Sequence, residues 1–308
     1  MTEFLASLLH WGATAVGRLP WALQRALGNA LGGLTRRLGT RESVVALRNL
    51  ELALPGLDAA GRQSLHREVM RTTGRQAIET LRLWTRPHAD NLRLIRETHG
   101  EDLFDAATAA GRGVIVAAPH HGNWELLNQW LAARTPLAIL YKPPASSVGE
   151  AFLRRVRADT DADRITQVRA EGPGIRQLYK TLKDGGVIGI LPDQQPKAGD
   201  GVFAPFFGKQ ALTMTLLSRL AERSGAAVLF ACCERLDGRD LAYALRIDPA
   251  PDGIDHPDTA VSVAALNAGV EAMARRAPAQ YQWTYKRYTL RPPGSGETNP
   301  YRDLEIGR

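Results

Sequence analysis

Short apolar segments rich in β-branched residues alternate with helix-like segments from about residue 100 onward, and this alternation constrains the fold more than any other feature. A short apolar run bounded by turn residues predicts a buried strand, whereas apolar residues spaced three and four apart predict a helix. Strands that alternate with helices form a largely parallel sheet that the helices cover. We therefore predict an α/β fold with a mostly parallel central sheet.

The pattern places the elements along the chain. The predicted strands are 113–118, 136–141, 186–191, 226–234 and 240–248. The predicted helices are 124–134, 148–158, 173–184, 213–224 and 261–276. Ligand sites in sheets of this kind lie at the carboxyl ends of the strands. Residues that directly follow a predicted strand are therefore the first candidates for a functional site.

The segment Ala117 to Glu125 places a histidine and a carboxylate at a strand-to-helix junction. His120 follows a predicted strand, and Glu125 lies in the first turn of the next helix. The turn between them lets the carboxylate accept a hydrogen bond from one ring nitrogen while the other nitrogen can take a proton. We predict that His120 is a general base and that Glu125 orients it and stabilises its charged form. The alternative is that His120 caps the helix and Glu125 complements the helix dipole.

The same junction suggests how the reaction runs. The backbone amides of Gly122 and Asn123 are expected at a helix N-terminus, where they can stabilise an oxyanion. The segment contains no Ser or Cys, so we expect the nucleophile to belong to the substrate, most simply as a hydroxyl that His120 deprotonates.

A second strand end carries Asp193, so Asp193 and His120 can face one cleft. Asp193 can fix an acceptor hydroxyl or orient a basic residue, or it can open an Asx-turn. The segment from Asp193 to Thr213 is rich in Gly and Pro and is predicted to be a long functional loop. Three aromatic residues in it are predicted to wall an apolar groove for an acyl chain, although at least one can instead belong to the core: Phe203, Phe206 and Phe207.

Two groups of basic residues are candidates for substrate binding. The first lies on the helix predicted over 148–158 and the second near the C-terminus, and together they comprise Arg154, Arg155, Arg157, Lys286 and Arg287. Guanidinium groups bind phosphate and carboxylate in a two-pronged geometry, so these residues can hold phosphate or sugar-acid groups. The alternative for any one of them is a solvated surface position.

The N-terminal residues are apolar but short of a membrane span. Residues 4–17 carry no Lys, Arg, Asp or Glu, which makes 14 residues where a span needs about 20. The stretch lacks the basic start and the cleavage site of a secretory signal. We predict that residues 1–40 form one or two amphipathic helices at a membrane surface and that residues 41–308 form a single catalytic domain. The alternative is a helical pair packed on that domain.

The composition indicates which classes of partner and cofactor the protein can have. The chain has 39 Lys+Arg against 32 Asp+Glu, a formal net charge of +7, which favours an acidic partner. No dense basic run or nucleic-acid-binding signature is present, so an anionic membrane is preferred to nucleic acid.

The adjacent Cys232 and Cys233 lie within a predicted strand and are expected to be buried thiols in a reducing compartment. No spaced His/Cys/Asp set and no glycine-rich phosphate loop occurs, so we predict neither a metal nor a cofactor.

Five blocks of the sequence resemble, in the same order, those of the bacterial lipid A late acyltransferases, within the wider glycerolipid acyltransferase superfamily. They are Arg48 to Pro55, the His120 to Glu125 segment, Tyr141 to Pro144, Leu191 to Gly208 and Pro278 to Pro292. Three parts of the sequence depart from the usual pattern of that family: Lys142 replaces Arg, His121 replaces Phe, and residues 284–286 replace a histidine-containing run.

The resemblance implies an O-acyltransferase without a cofactor. Its donor would be an acyl carrier protein thioester, and its acceptor would be a hydroxyl of a phosphorylated glycolipid, a lipid A precursor of lipopolysaccharide biosynthesis. It also implies attachment to the anionic inner membrane with the catalytic face toward the cytoplasm, and it places Lys286 and Arg287 near the site. Two alternatives stay open: another glycolipid or lysophospholipid acceptor, with acyl-CoA as a possible donor, and a non-catalytic basic protein of the membrane surface.

Overall fold

The computed structural model describes residues 1–141, 146–157 and 164–304, without the side chains of residues 154–157. Its helices are α1 (Thr2–Arg18), α2 (Trp21–Arg37), α3 (Arg41–Ala53), α4 (Ala59–Thr85), α5 (His88–Leu92), α6 (Glu101–Ala109), α7 (Trp124–Arg134), α8 (Ser147–Arg157), α9 (Gly172–Lys183), α10 (Leu216–Ser224) and α11 (Thr259–Arg276). Its strands are β1 (Ile95–His99), β2 (Val114–Ala117), β3 (Leu137–Tyr141), β4 (Ile165–Arg169), β5 (Val187–Ile190), β6 (Gly201–Phe206), β7 (Lys209–Met214), β8 (Ala227–Arg235) and β9 (Tyr243–Pro249).

Seven of these strands form the central sheet, in the order β1-β9-β8-β2-β5-β3-β4. Every neighbouring pair is parallel except β8 and β9. The predicted mostly parallel sheet is therefore confirmed. Since β2, β5, β3 and β8 run in the same direction, the segments that follow these strands meet at one edge of the sheet.

Alternating strand residues supply the cores on the two faces of the sheet. In β2, Val114 and Val116 belong to one buried cluster, whereas Ile115 and Ala117 belong to the other. Successive strand side chains point to opposite faces, which explains the alternation. The first cluster lies under α7, and the second lies under α9, α10 and α11. Cys232 and Cys233 divide in the same way, and both are buried free thiols as predicted.

The segment expected to be a long loop before Thr213 instead contains a hairpin. Strands β6 and β7 pair antiparallel around Phe207 and Gly208, whose φ angles are +49° and +69°. Two consecutive positive φ angles match the two-residue turn that hairpins prefer. The helix predicted over 213–224 begins only at Leu216, because β7 continues to Met214. The edge strand β4 was not predicted, since only one of its five residues is buried.

Helix α2 packs closely on α4 through glycines. A Cβ atom at Gly32 would lie 2.0 Å from the Met70 carbonyl oxygen, and one at Gly28 would lie 2.6 Å from the Arg75 Cα. Gly74 lies on the α4 side of the same contact. Helix α1 packs against both α4 and α8. In the part of the chain that the structure describes, no helix combines the length and apolarity needed to cross a membrane.

The glycine contact predicts opposite outcomes for two neighbouring substitutions. Gly32→Ala should lower the free energy of unfolding by about 1–3 kcal/mol, because the added methyl group must push α2 away from α4. Gly33→Ala is the matched control, because nothing lies within 4 Å of its Cβ position. The control should be neutral or stabilising by up to about 1 kcal/mol, since alanine favours a helix. Thermal unfolding of both variants tests this, and equal melting temperatures would contradict it.

Candidate active site

His120 and Asp193 meet at the carboxyl edge of the sheet, where β2 and β5 end. The Nδ1 atom of His120 lies 2.7 Å from Oδ1 of Asp193, and the His120 backbone N–H donates to Oδ2 at 2.9 Å. The carboxylate therefore holds both the ring and the main chain of His120. With the proton on Nδ1, the Nε2 atom has a lone pair that can accept a proton.

Asp193 is suited to act as a fixed anion. Its side chain is only 3 % exposed. Burial by itself would raise its pKa, but the attraction of His120 and the hydrogen bonds to His120 outweigh that effect, so the pKa is lowered. Burial and the negative charge of Asp193 raise the pKa of Tyr281, whose hydroxyl interacts with the carboxylate. Asp193 thus stays ionised at neutral pH and keeps the imidazole in one orientation.

Two further side chains touch the imidazole of His120, and neither was predicted from the sequence. Gln194 places its Nε2 atom 3.2 Å from Nε2 of His120. The Trp124 ring packs edge-on against the imidazole, with 5.1 Å between ring centroids. Two signals in the sequence could have identified them. Gln194 directly follows Asp193, and Trp124 lies in the junction segment from Ala117 to Glu125.

The loop after His120 is held by main-chain hydrogen bonds. The Gly122 N–H donates to the Gln280 carbonyl at 3.1 Å, and the Asn123 N–H donates to the Cys233 carbonyl at 2.8 Å. Gly122 has a φ of +60°, and a Cβ atom there would lie 2.1 Å from the Cys233 carbonyl oxygen, so glycine is required. Both amides are therefore engaged, which argues against the predicted oxyanion role of Gly122 and Asn123.

Glu125 lies where the sequence places it, buried in the first turn of α7. The Asn123 side chain caps this helix by accepting from the Leu126 N–H at 3.3 Å. The carboxylate that contacts Nδ1 of His120 belongs to Asp193, whereas the sequence predicted Glu125 in that position. A part for Glu125 in stabilising the charged histidine stays a prediction.

A buried ion-pair network lies beneath the same loop. His121 places Nε2 3.0 Å from Glu234, whose carboxylate also pairs with Arg246 at 2.6 Å and Arg276 at 2.8 Å. Burial alone would raise the pKa of Glu234, but hydrogen bonds from His121 and Arg276 lower it to about 2. His121, Cys232 and Glu234 lie close enough together to share a metal ion. The two guanidinium groups already on Glu234 disfavour a cation there.

A cleft of about 1560 Å³ opens beside His120. Small-molecule pockets usually measure about 300–1,000 Å³, so this cleft has room for an acyl chain together with part of a larger substrate. Its apolar wall comes from β3, α8, α9, the β6–β7 hairpin and α10. The wall includes Ile139, Leu140, Leu153, Ile175, Met214 and Leu216.

The phenylalanines predicted to wall an acyl groove lie elsewhere. Phe206 and Phe207 are buried in the core, with ring centroids 4.9 Å apart. Phe207 also packs against Trp283 at 5.3 Å, which holds the hairpin turn in its unusual conformation. Phe203 is half-buried on β6 and does not line the cleft. The Phe-Phe-Gly sequence forms a hairpin turn, so these residues lie away from the cleft beside His120, and a part for them in an acyl groove stays a prediction.

The predicted substrate-binding cations divide into two groups. Arg287 is buried and donates to the Leu212 carbonyl and the Thr213 hydroxyl, each at 2.6 Å. The Lys286 ammonium lies 5.8 Å from the centre of the Tyr301 ring, and neither Lys286 nor Arg287 lines the cleft. The guanidinium of Arg287 therefore braces β7, and its predicted role in substrate binding stays a prediction. The side chains of Arg154, Arg155 and Arg157 lie outside the described residues.

The fold and the site together define an α/β protein in which a carboxylate-held histidine faces a large, mostly apolar cleft. The profile of the family described as bacterial lipid A biosynthesis acyltransferase matches residues 1–289. This chain belongs to that family and is an acyltransferase.

Individual relatives cover most of the chain. The lipid A biosynthesis palmitoleoyltransferase of Escherichia coli (strain K12) is 29 % identical over 281 residues, which is 90 % of this chain and 88 % of that protein. The lipid A biosynthesis lauroyltransferase of the same organism is 27 % identical over 308 residues, covering 96 % and 97 % of the two chains. A phosphatidylinositol mannoside acyltransferase of Mycobacterium tuberculosis (strain CDC 1551 / Oshkosh) is 31 % identical over 184 residues, 58 % of this chain and 56 % of that protein.

Proposed function

We propose that this protein transfers a fatty acyl group from an acyl carrier protein thioester to a hydroxyl of a lipid A precursor. The observation that carries the proposal is the His120–Asp193 pair beside a large, mostly apolar cleft, in a chain that matches the family over residues 1–289. The names of the E. coli relatives support a lipid A acceptor. The net charge of +7 suits both an acidic carrier protein and an anionic lipid.

His120 acts as the base in a direct transfer. Its Nε2 atom takes the proton from the acceptor hydroxyl as the oxygen attacks the thioester carbonyl carbon. The new C–O bond forms, the C–S bond breaks, and the departing sulfur receives the proton from Nε2. Asp193 holds the ring and stabilises the imidazolium between these two steps, as the carboxylate does in a catalytic triad.

Gln194 supplies a donor for the oxyanion in this scheme. Its side-chain amide lies against Nε2 of His120, where the acceptor hydroxyl has to bind, so the hydroxyl must displace the amide. The displaced N–H group stays within reach of the reacting carbonyl and can stabilise the negative charge that develops there. The scheme keeps for Glu125, which is buried in the first turn of α7, the role predicted from the sequence, stabilisation of the charged imidazolium.

The cleft provides the acyl-binding surface. The apolar side chains of β3, α9 and α10 can bury the hydrocarbon chain, because burial of apolar area drives its binding. The relative that acylates a phosphatidylinositol mannoside favours a second candidate acceptor, a mannosylated lipid. Acyl-CoA is the corresponding second candidate donor.

Membrane binding is assigned to the outer surface of α1 and α2. Large apolar side chains are exposed along both helices: Phe4, Leu5, Leu8, Leu9, Trp11, Leu23, Leu27, Leu31 and Leu34. An exposed apolar patch of this kind marks an interaction surface, and the exposed Arg18 can reach lipid phosphates. The glycine contact with α4 fixes this surface to the catalytic domain. We place the protein on the cytoplasmic face of the inner membrane.

Loss of His120 should abolish transfer and leave the fold intact. His120→Ala is expected to reduce transfer at least about 100-fold, because general-base catalysis contributes 10² to 10⁴ in rate. The assay uses labelled acyl carrier protein thioesters with a tetra-acylated lipid A precursor, and competition with acyl-CoA identifies the donor. His99→Ala, an exposed histidine on the edge strand β1, is the matched control. Unchanged turnover by His120→Ala would refute the base, and no transfer by folded wild-type protein would favour another acceptor or the non-catalytic alternative.

Polar substitutions on α2 should weaken membrane binding. Leu27→Gln/Leu31→Gln removes two side chains that are 45 % and 41 % exposed, so the folded protein loses little packing while its apolar surface shrinks. We expect at least a tenfold loss of co-sedimentation with anionic vesicles. The control Leu103→Gln/Val261→Gln changes two exposed apolar residues outside α1 and α2. Equal losses in the two double variants would argue against this surface.

A further inference from the structure

Four arginines line the same cleft as His120: Arg169, Arg176, Arg219 and Arg223. None of them belongs to the sequence blocks that indicated the family, and none was predicted to bind substrate. All four are exposed. Within the described part of the chain, no carboxylate forms an ion pair with any of them.

The fold brings these arginines together from three elements. Arg169 ends β4, and α9 begins against it, because a Cβ atom at Gly174 would lie 2.0 Å from the Arg169 carbonyl oxygen. Arg219 and Arg223 lie four residues apart and therefore share one face of α10. The Tyr179 hydroxyl of α9 donates to the Arg223 carbonyl at 3.4 Å, which joins α9, the helix that carries Arg176, to the end of α10.

The charge around the cleft is strongly unbalanced. Lys197 also lines it, so that among the described residues of the lining five cations face two carboxylates, those of Glu171 and Asp200. Unpaired guanidinium groups that line one cleft create a positive potential there and attract anions. Arginine in particular matches the geometry of a phosphate with two parallel N–H donors.

We propose that Arg169, Arg176, Arg219 and Arg223 form a binding site for a phosphate ester in the active-site cleft. The site positions a phosphorylated substrate whose reacting group lies at His120. The identity of the molecule that carries this phosphate rests on the proposed acyl transfer, whereas the binding site itself does not. Two substrates of the transfer can supply it: the phosphorylated sugar of the acceptor, or the phosphopantetheine arm that carries the acyl group.

Direct binding measurements test the site without relying on activity. The probes are glucosamine 1-phosphate and phosphopantetheine, with glucosamine and pantetheine as phosphate-free controls, titrated into the full-length protein by calorimetry. We expect a phosphorylated probe to bind, its phosphate-free partner to bind at least tenfold more weakly, and affinity to fall with added salt. Stronger binding of glucosamine 1-phosphate assigns the site to the acceptor, and stronger binding of phosphopantetheine assigns it to the donor.

Matched variants complete the test. Arg219→Gln/Arg223→Gln should weaken the phosphorylated probe at least tenfold. The control Arg96→Gln/Arg112→Gln removes the same charge from two exposed arginines, one on the edge strand β1 and one before β2, and should leave binding unchanged. Equal affinities in wild-type protein and the α10 variant, or no binding of either phosphorylated probe, would overturn the proposal. His120→Ala should retain phosphate binding, so a failure of acyl transfer alone leaves this site standing.

Discussion

The hydrogen bonds between Asp193 and His120 join the ends of two neighbouring parallel strands, and the arrangement of the active site depends on them. Strands β2 and β5 are adjacent and in register, so the residues that follow them emerge at one edge of the sheet. One carboxylate then binds both the ring and the backbone of the histidine. Since Asp193 is nearly fully buried, water competes little for it, and the pair holds a single geometry.

Residues 280–282 of the C-terminal segment hold the loop that carries His120 through main-chain hydrogen bonds. The Gln282 N–H donates to the His120 carbonyl at 2.9 Å, and Gln280 accepts from Gly122. Asn49 of α3 in turn donates to the Trp283 carbonyl at 2.6 Å and to the Tyr285 carbonyl at 2.7 Å. Parts of the sequence that are more than 200 residues apart are thus joined around one loop. These contacts explain why the blocks from Arg48 to Pro55 and from Pro278 to Pro292 occur together with the block that contains His120.

The sequence predicted the elements that follow from local periodicity and missed those that depend on tertiary contacts. The buried strands, helix α7 and the shared cleft of His120 and Asp193 could be predicted, because apolar runs and strand order determine them. The β6–β7 hairpin could not, since it rests on a positive φ at Phe207 that core packing enforces. The choice between Asp193 and Glu125 on the imidazole also depends on a contact 73 residues away. Likewise, Arg287 looked like a surface cation until its buried partners were known.

We propose that Asp193 fixes the Nδ1–H tautomer of His120, so that the lone pair of Nε2 can act as the base. Nitrogen-15 NMR of the imidazole measures this directly in wild-type, Asp193→Asn and Glu125→Gln proteins. We predict a protonated, hydrogen-bonded Nδ1 and an unprotonated Nε2 in the wild-type and Glu125→Gln proteins at a pH where the imidazole is neutral, and loss of this pattern in Asp193→Asn. A wild-type spectrum with the proton on Nε2, or a pattern lost in Glu125→Gln and kept in Asp193→Asn, would contradict the account.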